Sequence, residues 1–242
     1  MLSVLLTGGG GRMGPHLVPF FAERYALRNF DREPIAGDLN TIVGDIANFD
    51  ALKQAMQGVD VVVHLAATSD EAPFLEDLVP NNVIGLYNTF QAALESGVRR
   101  IVFASSCQAV LANDRDRTIE VEEPPRPSTL YGATKAFGET LGCWYHDRHG
   151  IEFVAIRIGA FQPYDSSWLQ RSGTGTLWLS PRDSVSLFAR AIELPNVKHS
   201  VVFGTSITNF ELLSRKPARE LLDWEPQDDK DAIVYTTTTK AL

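Results

Sequence analysis

The sequence near the N-terminus reads Ser3-Val4-Leu5-Leu6-Thr7-Gly8-Gly9-Gly10-Gly11-Arg12-Met13-Gly14. An apolar strand leads directly into glycines at positions 8, 11 and 14, and an apolar segment follows over 16–25. Backbone N–H groups at the start of a helix can bind a phosphate when glycines allow its close approach. The spacing differs from the Gly-x-Gly-x-x-Gly of the dinucleotide fingerprint, and a flexible turn without function is the alternative. We predict a nucleotide phosphate site at this turn.

An acidic residue follows the glycine turn at the distance expected for ribose recognition. Asp31 ends a predicted second strand over 26–31, about 20 residues past the turn, where a carboxylate can accept hydrogen bonds from the adenosine ribose. Its negative charge disfavours a 2′-phosphate, which favours NAD over NADP, although Arg32 could attract that phosphate. A helix-capping or loop acid is the alternative.

Strand-like and helix-like segments alternate through residue 158. Apolar strands are predicted over 41–46, 59–67, 101–106 and 153–158, and helices over 49–56, 80–96 and 131–148. This order predicts an α/β fold with a doubly wound parallel sheet of the Rossmann type. We assign the core to 1–160 and a small substrate-covering portion, which is not an independent domain, to 161–242. That portion is predicted to contain a helix at 183–194, a strand at 200–203 and a helix at 216–222.

Composition restricts the classes of partner. The net charge of −8 disfavours a nucleic-acid partner held by phosphate contacts. No apolar run approaches the ~20 residues that span a bilayer, and 2–6 is too short for a signal segment, so no membrane partner and a cytoplasmic location are expected. Cys107 and Cys143 form no ligand cluster, and no metal site is predicted.

Tyr131 and Lys135 lie four residues apart in the predicted helix 131–148, so their side chains share one face. A nearby ammonium favours the ionised phenol, which suits a general base. A chance surface pair is the alternative. Ser106 ends the strand 101–106, where open α/β sheets bind ligands, whereas alternation places the neighbouring Ser105 on the opposite face.

These features occur together and in a fixed order. With the glycine turn, Asp31, Asn82, Ser106 and the Tyr/Lys pair, the chain resembles the extended short-chain dehydrogenase/reductases, members of the NAD-dependent epimerase/dehydratase superfamily. Within that group it is most similar to uronate dehydrogenases, which use NAD to oxidise the anomeric carbon of galacturonate or glucuronate to a lactone. The matching segments are 82–88, 100–106, 126–127, 130–132, 137–139 and 157–159.

The resemblance implies roles for individual residues. Tyr131 is the base for the sugar C1 hydroxyl, Lys135 binds the nicotinamide ribose and favours the phenolate, and Ser106 donates a hydrogen bond to the substrate oxygen. The expected cofactor contacts are Gly8, Gly11, Arg12, Met13, Gly14, Asp31, Asp45, Ile46, Leu65, Ala66, Ala67, Asn82, Tyr131, Lys135 and Ile158. The expected substrate contacts are Ser69, Ser106, Cys107, Gln108, Tyr131 and Arg171, the last as a carboxylate clamp or a solvated loop residue.

Three residues depart from the uronate dehydrogenase pattern. Cys107 and Gln108 replace an Asn-His pair, and Ala160 replaces a serine, so a sugar-phosphate substrate is also open. A nucleotide-sugar epimerase or dehydratase is disfavoured by the short C-terminal region, and a non-catalytic NAD-binding protein by the retained Tyr131 and Lys135. The resemblance also implies a homodimer through the helices 80–96 and 131–148.

Overall fold

The computed structural model describes residues 1–35, 38, 40–170 and 175–233. Nine strands are found there: β1 Ser3–Thr7, β2 Ala26–Asp31, β3 Thr41–Val43, β4 Val61–His64, β5 Arg100–Ser106, β6 Glu152–Ile158, β7 Ala160–Phe161, β8 Trp178–Leu179 and β9 His199–Gly204. The α-helices are α1 Gly14–Arg24, α2 Phe49–Ala55, α3 Leu86–Glu95, α4 Leu130–His149, α5 Pro181–Glu193 and α6 Lys216–Leu222. The predicted helix at 131–148 is confirmed, with one more residue at each end.

Seven strands form one parallel sheet in the order β3-β2-β1-β4-β5-β6-β9. The order reverses between β1 and β4, which is the switch point where open α/β sheets bind their ligands. The predicted doubly wound fold is confirmed.

The sheet is covered on both faces because its central strands are apolar on both sides. One face packs against α1, α5 and α6 through side chains such as Phe21, Phe188 and Leu222. The other packs against α2, α3 and α4 through side chains such as Leu52, Phe90 and Tyr145. The helix α4 therefore lies directly on the face formed by alternate residues of β5 and β6.

The predicted helix at 80–96 is wrong in its start and in part of its geometry. A π-helix, Phe74–Gly85, precedes α3 without a break, and Leu78 N–H donates to the Pro73 carbonyl five residues earlier. Pro80 lies inside this segment and has no N–H to donate, so a regular α-helical ladder is interrupted there. The resulting helical segment is longer than the apolar periodicity indicated.

The predicted boundary at residue 160 does not coincide with the edge of the sheet. The strand β9 pairs with β6 as the seventh strand, and its residues Val202 and Phe203 are buried there. We call the described residues of 160–179 the covering segment, since they fall in the portion predicted to cover the substrate; its strands β7 and β8 pair Ala160 with Trp178. Within the described ranges, no helix has the length and apolar character needed to cross a bilayer.

Candidate active site

Two cavities lie side by side across the carboxyl ends of the strands. The larger has a volume of about 520 Å³ and contains Ser106, Tyr131 and Lys135 in its wall, and the smaller, of about 240 Å³, contains Asp31. Gly8, Gly11, Leu65 and Ala67 line both, so the two form one cleft over the switch point. The smaller cavity contains Asp31, the acid predicted to bind the ribose, and the larger contains the Tyr/Lys pair. This arrangement suits an extended dinucleotide with a sugar beside it.

The glycine turn is shaped by close backbone contacts. Gly8 has φ +78°, and a Cβ there would lie 2.5 Å from the Ala66 nitrogen. At Gly14 a Cβ would lie 1.6 Å from the Gly9 carbonyl oxygen, so this glycine shapes the turn although it does not line the cleft. The N–H groups of Arg12 and Met13, at the start of α1, have no hydrogen-bond partner among the described residues. Such a turn fits a pyrophosphate, and the phosphate site stays a prediction.

Asp31 lies at the wall of the smaller cavity, beside Arg32. One carboxylate oxygen accepts the Gly10 N–H at 2.8 Å, which joins the end of β2 to the glycine turn. Asp45, in contrast, is exposed and accepts the Ala47 N–H at 2.8 Å, forming a turn that ends β3 at Val43 rather than at the predicted residue 46. Ile46 lines the cavity, and Asp45 does not.

Asn82 is buried behind the cleft and lines neither cavity. Its side chain accepts the Thr68 N–H at 2.8 Å and donates to the Thr68 carbonyl at 2.9 Å and the Thr134 Oγ1 at 3.1 Å. It thereby joins the loop after β4 to α4. The cofactor contact of Asn82 stays a prediction, and its neighbour Asn81, which the sequence did not single out, lines the smaller cavity.

Tyr131, Lys135 and Ser106 are brought together in the larger cavity, with Ile158 beside them. Thr129 caps α4, since its Oγ1 accepts the Gly132 N–H at 2.9 Å, and this places Tyr131 in the first turn. The Lys135 Nζ lies 5.5 Å from the centre of the Tyr131 ring and 4.9 Å from that of Phe103. The Lys135 ammonium has no hydrogen-bond partner among the described residues, which leaves its donors available to a ligand.

The electrostatics differ from the sequence-based expectation. Burial raises the pKa of Tyr131 well above its usual range, and the charge of Asp70 raises it further, while a hydrogen bond with Ser106 opposes the rise. Burial also lowers the pKa of Lys135 to about 7. The depression of the Tyr131 pKa that the sequence predicted is therefore not found, because burial has the largest effect and raises this pKa.

Asp70 is a site residue that the sequence did not indicate. It lies next to the predicted Ser69 in the wall of the larger cavity, has φ +64°, and pairs with Arg12 at 2.8 Å. Both partners are more than half exposed, so the pair contributes little to stability. It nevertheless bridges the glycine turn and the loop after β4, at the entrance to the cleft.

Gln108 lines the larger cavity with a fixed orientation. Thr129 Oγ1, which already accepts from Gly132, donates to the Gln108 Oε1 at 2.6 Å. The amide nitrogen of Gln108 has no partner among the described residues, so the side chain offers donors to a ligand. Only the fold could show this, because it depends on the position of Thr129.

Cys107 is buried at the cavity wall and packs against Val110, Phe203 and Leu213. Burial raises the pKa of its thiol to about 12, which agrees with a packing role rather than a nucleophile. Arg171 lies outside the described residues. Further cavity residues that the sequence did not single out come from the covering segment, namely Phe161, Gln162, Trp168 and Leu177.

The fold and this cleft define a dinucleotide-binding α/β protein with a tyrosine–lysine pair beside a sugar-sized cavity. The sequence profile described as the NAD dependent epimerase/dehydratase family matches residues 4–162. The chain belongs to that family.

Individual relatives give the range of activities that the similarity covers. The chain is 37% identical to an NAD-dependent glucose-6-phosphate dehydrogenase of Haloferax volcanii, across 96% of this chain and 95% of that protein. It is 34% identical to a uronate dehydrogenase of Pseudomonas syringae, across 95% and 83%. The structure of a glucuronic acid dehydrogenase from Chromohalobacter salexigens has a TM-score of 0.88 at 30% identity, covering 99% of this chain and 90% of that one.

Proposed function

We propose that this chain is an NAD-dependent dehydrogenase that oxidises the anomeric hydroxyl of a hexuronate or a related sugar to the lactone. The observation that carries the proposal is the position of Tyr131, Ser106 and Lys135 in the larger cavity, where it joins the predicted cofactor cleft. The named activities of the relatives support the same reaction on several sugars.

The reaction divides between the cofactor and three side chains. NAD, held along the glycine turn and beside Asp31, would supply the hydride acceptor for C1 of the sugar. The Tyr131 oxygen takes the proton of the C1 hydroxyl, so the electron pair of the broken O–H bond forms the new C=O bond. Ser106 donates a hydrogen bond to the same substrate oxygen and orients it toward Tyr131. Lys135 has free donors for the nicotinamide ribose and places a positive charge beside Tyr131 when protonated.

Residues of the larger cavity determine which sugar fits. Ser69 and Gln108 offer hydrogen bonds to sugar oxygens, and Arg171 is our proposed clamp for a carboxylate. The side chain of Ala160 provides no hydrogen bond, whereas the uronate dehydrogenase pattern has a serine at this position. The similarity to the Haloferax enzyme over nearly its whole length favours a sugar phosphate as the second candidate. On either substrate, Asp31 favours NAD over NADP.

The proposal is tested by mixing the purified protein with NAD or NADP and a panel of uronic acids, aldoses and sugar phosphates. We expect the absorbance of the reduced cofactor to rise with at least one sugar, and faster with NAD. An epimerase would recycle the reduced cofactor, and a non-catalytic protein would produce none. Absence of turnover with every sugar and both cofactors refutes the dehydrogenase.

The homodimer is part of the same proposal. Adjacent helical segments expose large apolar side chains: Tyr87 of α3 is 49% exposed and Trp144 of α4 is 50% exposed, with Ile84, Leu130 and Phe137 nearby in the sequence. Water-exposed apolar surface of this kind favours association. Light scattering should give the mass of two chains, and Trp144→Asp should give one. Phe210→Asp, at an exposed aromatic residue outside these helices, is the control, and a monomeric unmutated protein at micromolar concentration refutes the dimer.

A further inference from the structure

The segments 137–139 and 157–159 match the uronate dehydrogenases that the sequence resembles. Ile158 and Gly159 line the larger cavity, and the other residues of these segments have no part in the proposed chemistry. Each segment contains a buried charged residue, Glu139 and Arg157. We propose that Glu139, with Arg157 and Ser105, is a positioning network that sets the distance between Ser106 and the Tyr131 base. This inference rests on the proposed function, because its effect is on that reaction.

The side chains of the network are buried and hydrogen-bonded to one another. The two carboxylate oxygens of Glu139 accept Arg157 Nε at 2.9 Å and Nη2 at 2.8 Å, and Ser105 Oγ donates to the carboxylate at 2.5 Å. Ser105, Arg157 and Glu139 are 2%, 3% and 6% exposed. The remaining Arg157 nitrogen, Nη1, donates to the Val121 carbonyl at 3.2 Å. A two-pronged ion pair with every partner satisfied fixes both position and angle.

The two strand residues of the network lie at the cleft: Ser105 itself lines the larger cavity, and Arg157 directly precedes Ile158, which also lines it. Ser105 and Arg157 are register partners in β5 and β6, and the following residues, Ser106 and Ile158, are the next register pair and line the larger cavity. The contact with Glu139 thus fixes both strand ends at the point where they enter the site.

The same contact fixes the helix. Residues 131, 135 and 139 recur every four positions of α4, so the base, the lysine and the anchor lie on one face. The ion pair fixes the position of α4 along the sheet, and therefore the position of Tyr131 relative to Ser106. Misplacement of a reacting group by about 1 Å can cost about 10²-fold in rate.

The same two strands contain a second ion pair that serves as a control, with its arginine buried and its glutamate partly exposed. At their other ends, Arg100 and Glu152 are also register partners, and Arg100 donates to Glu152 at 2.6 and 2.9 Å. Arg100 is buried like Arg157, but this pair lies at the ends of β5 and β6 that point away from the cleft. Breaking it should destabilise the protein without moving Ser106 or Tyr131.

The experiment compares Glu139→Gln and Ser105→Ala with Glu152→Gln, using the sugar from the panel that the unmutated protein oxidises fastest. Glu139→Gln should lower kcat about 10- to 100-fold and Ser105→Ala by a smaller factor, with the Kd for NAD nearly unchanged. Glu152→Gln should lower the Tm while kcat stays near the unmutated value.

A variant without the charges separates positioning from stability. Replacing a buried ion pair by uncharged groups often restores stability, so Glu139→Gln with Arg157→Met should recover Tm relative to Glu139→Gln alone. We expect its kcat to stay low, and a crystal structure to show a longer Ser106–Tyr131 distance than in the unmutated protein. An unchanged Ser106–Tyr131 distance, or normal kcat in both Ser105→Ala and this double variant, overturns the network. An unmutated protein that oxidises no sugar refutes the proposed function instead, and the crystal structure still decides the positioning.

Discussion

The two halves of the cleft differ in how much of their wall is backbone and how much is side chain. The cofactor half, formed by the glycine turn 8–14, Asp31 and residues 65–67, consists mainly of backbone and small side chains held by tight contacts. The sugar half consists of larger side chains from the segment after β5, the start of α4 and the covering segment. Tyr131 lies where the two halves meet.

This difference separates what is shared from what is specific. A backbone cradle accepts any ligand with the same phosphate and ribose, so a family can keep it while its substrates change. A wall of side chains changes with single substitutions, as Cys107, Gln108 and Ala160 illustrate. Variants in the two halves should therefore affect different measured constants.

The largest effect is expected at the junction, with Tyr131→Phe. This change removes the proton acceptor and little cofactor contact, so kcat should fall about 10²- to 10⁴-fold while the Kd for NAD stays nearly the same. Steady-state kinetics and fluorescence titration measure the two constants. Tyr87→Phe, at an exposed position of α3, is the control, and activity retained in Tyr131→Phe contradicts the mechanism.

In the cofactor half, Gly14→Ala should act on NAD binding. The new Cβ would overlap the Gly9 carbonyl oxygen, 1.6 Å away, so the turn must open. Overpacking of this kind costs about 1–3 kcal/mol, which corresponds to roughly a tenfold to hundredfold weaker Kd for NAD by titration. Gly58→Ala is the control: Gly58 has φ +70°, no atom lies within 4 Å of the new Cβ, and the change should leave the Kd unchanged.

In the sugar half, Gln108→Leu should change the KM for the sugar alone. It removes the oriented amide donor at nearly constant volume, and a hydrogen bond contributes about 0.5–1.5 kcal/mol, or about a two- to tenfold rise in KM for the sugar. The KM for NAD should not change. A rise in the KM for NAD rather than for the sugar would show that the boundary between the halves is misplaced. Gln57→Leu, at the distant end of α2, serves as the control.

The smallest effect is expected from Asp70→Asn, at the entrance. Burial, and next the charge of Asp70, raise the pKa of Tyr131, so removing this charge lowers that pKa. Because oxidation needs the deprotonated base, the pH at which kcat/KM rises should move to lower pH, by less than about one unit for a partly exposed charge. Asp50→Asn, an exposed acid on α2, should leave the profile in place. A shift to higher pH would contradict the assignment.

The sequence was sufficient for the doubly wound parallel sheet and for most of the residues that line the smaller cavity. Glycine spacing, the acid at the end of β2 and apolar strands are local signals, and they depend on residues close together in the chain. The Tyr/Lys pair was visible for the same reason, since one helix carries both. The wrong start of the helix at 80–96 came from Pro80, which a π-helix accommodates.

The sugar half was harder to predict because its contacts join distant segments. The orientation of Gln108 depends on Thr129, 21 residues away, and Asp70 meets Arg12 across 58 residues. The spacing of apolar residues along the chain does not predict contacts between such distant residues. The raised pKa of Tyr131 was also missed, because burial, its largest cause, is a property of the folded chain.

The most direct test of the central claim follows the hydrogen at C1 of the sugar. The unmutated protein is incubated with NAD and the preferred sugar carrying deuterium at C1, and both products are examined by mass spectrometry. The account predicts one deuterium in each NADH and an equal amount of lactone. Deuterium kept in an isomerised sugar, with NAD unchanged, would contradict it.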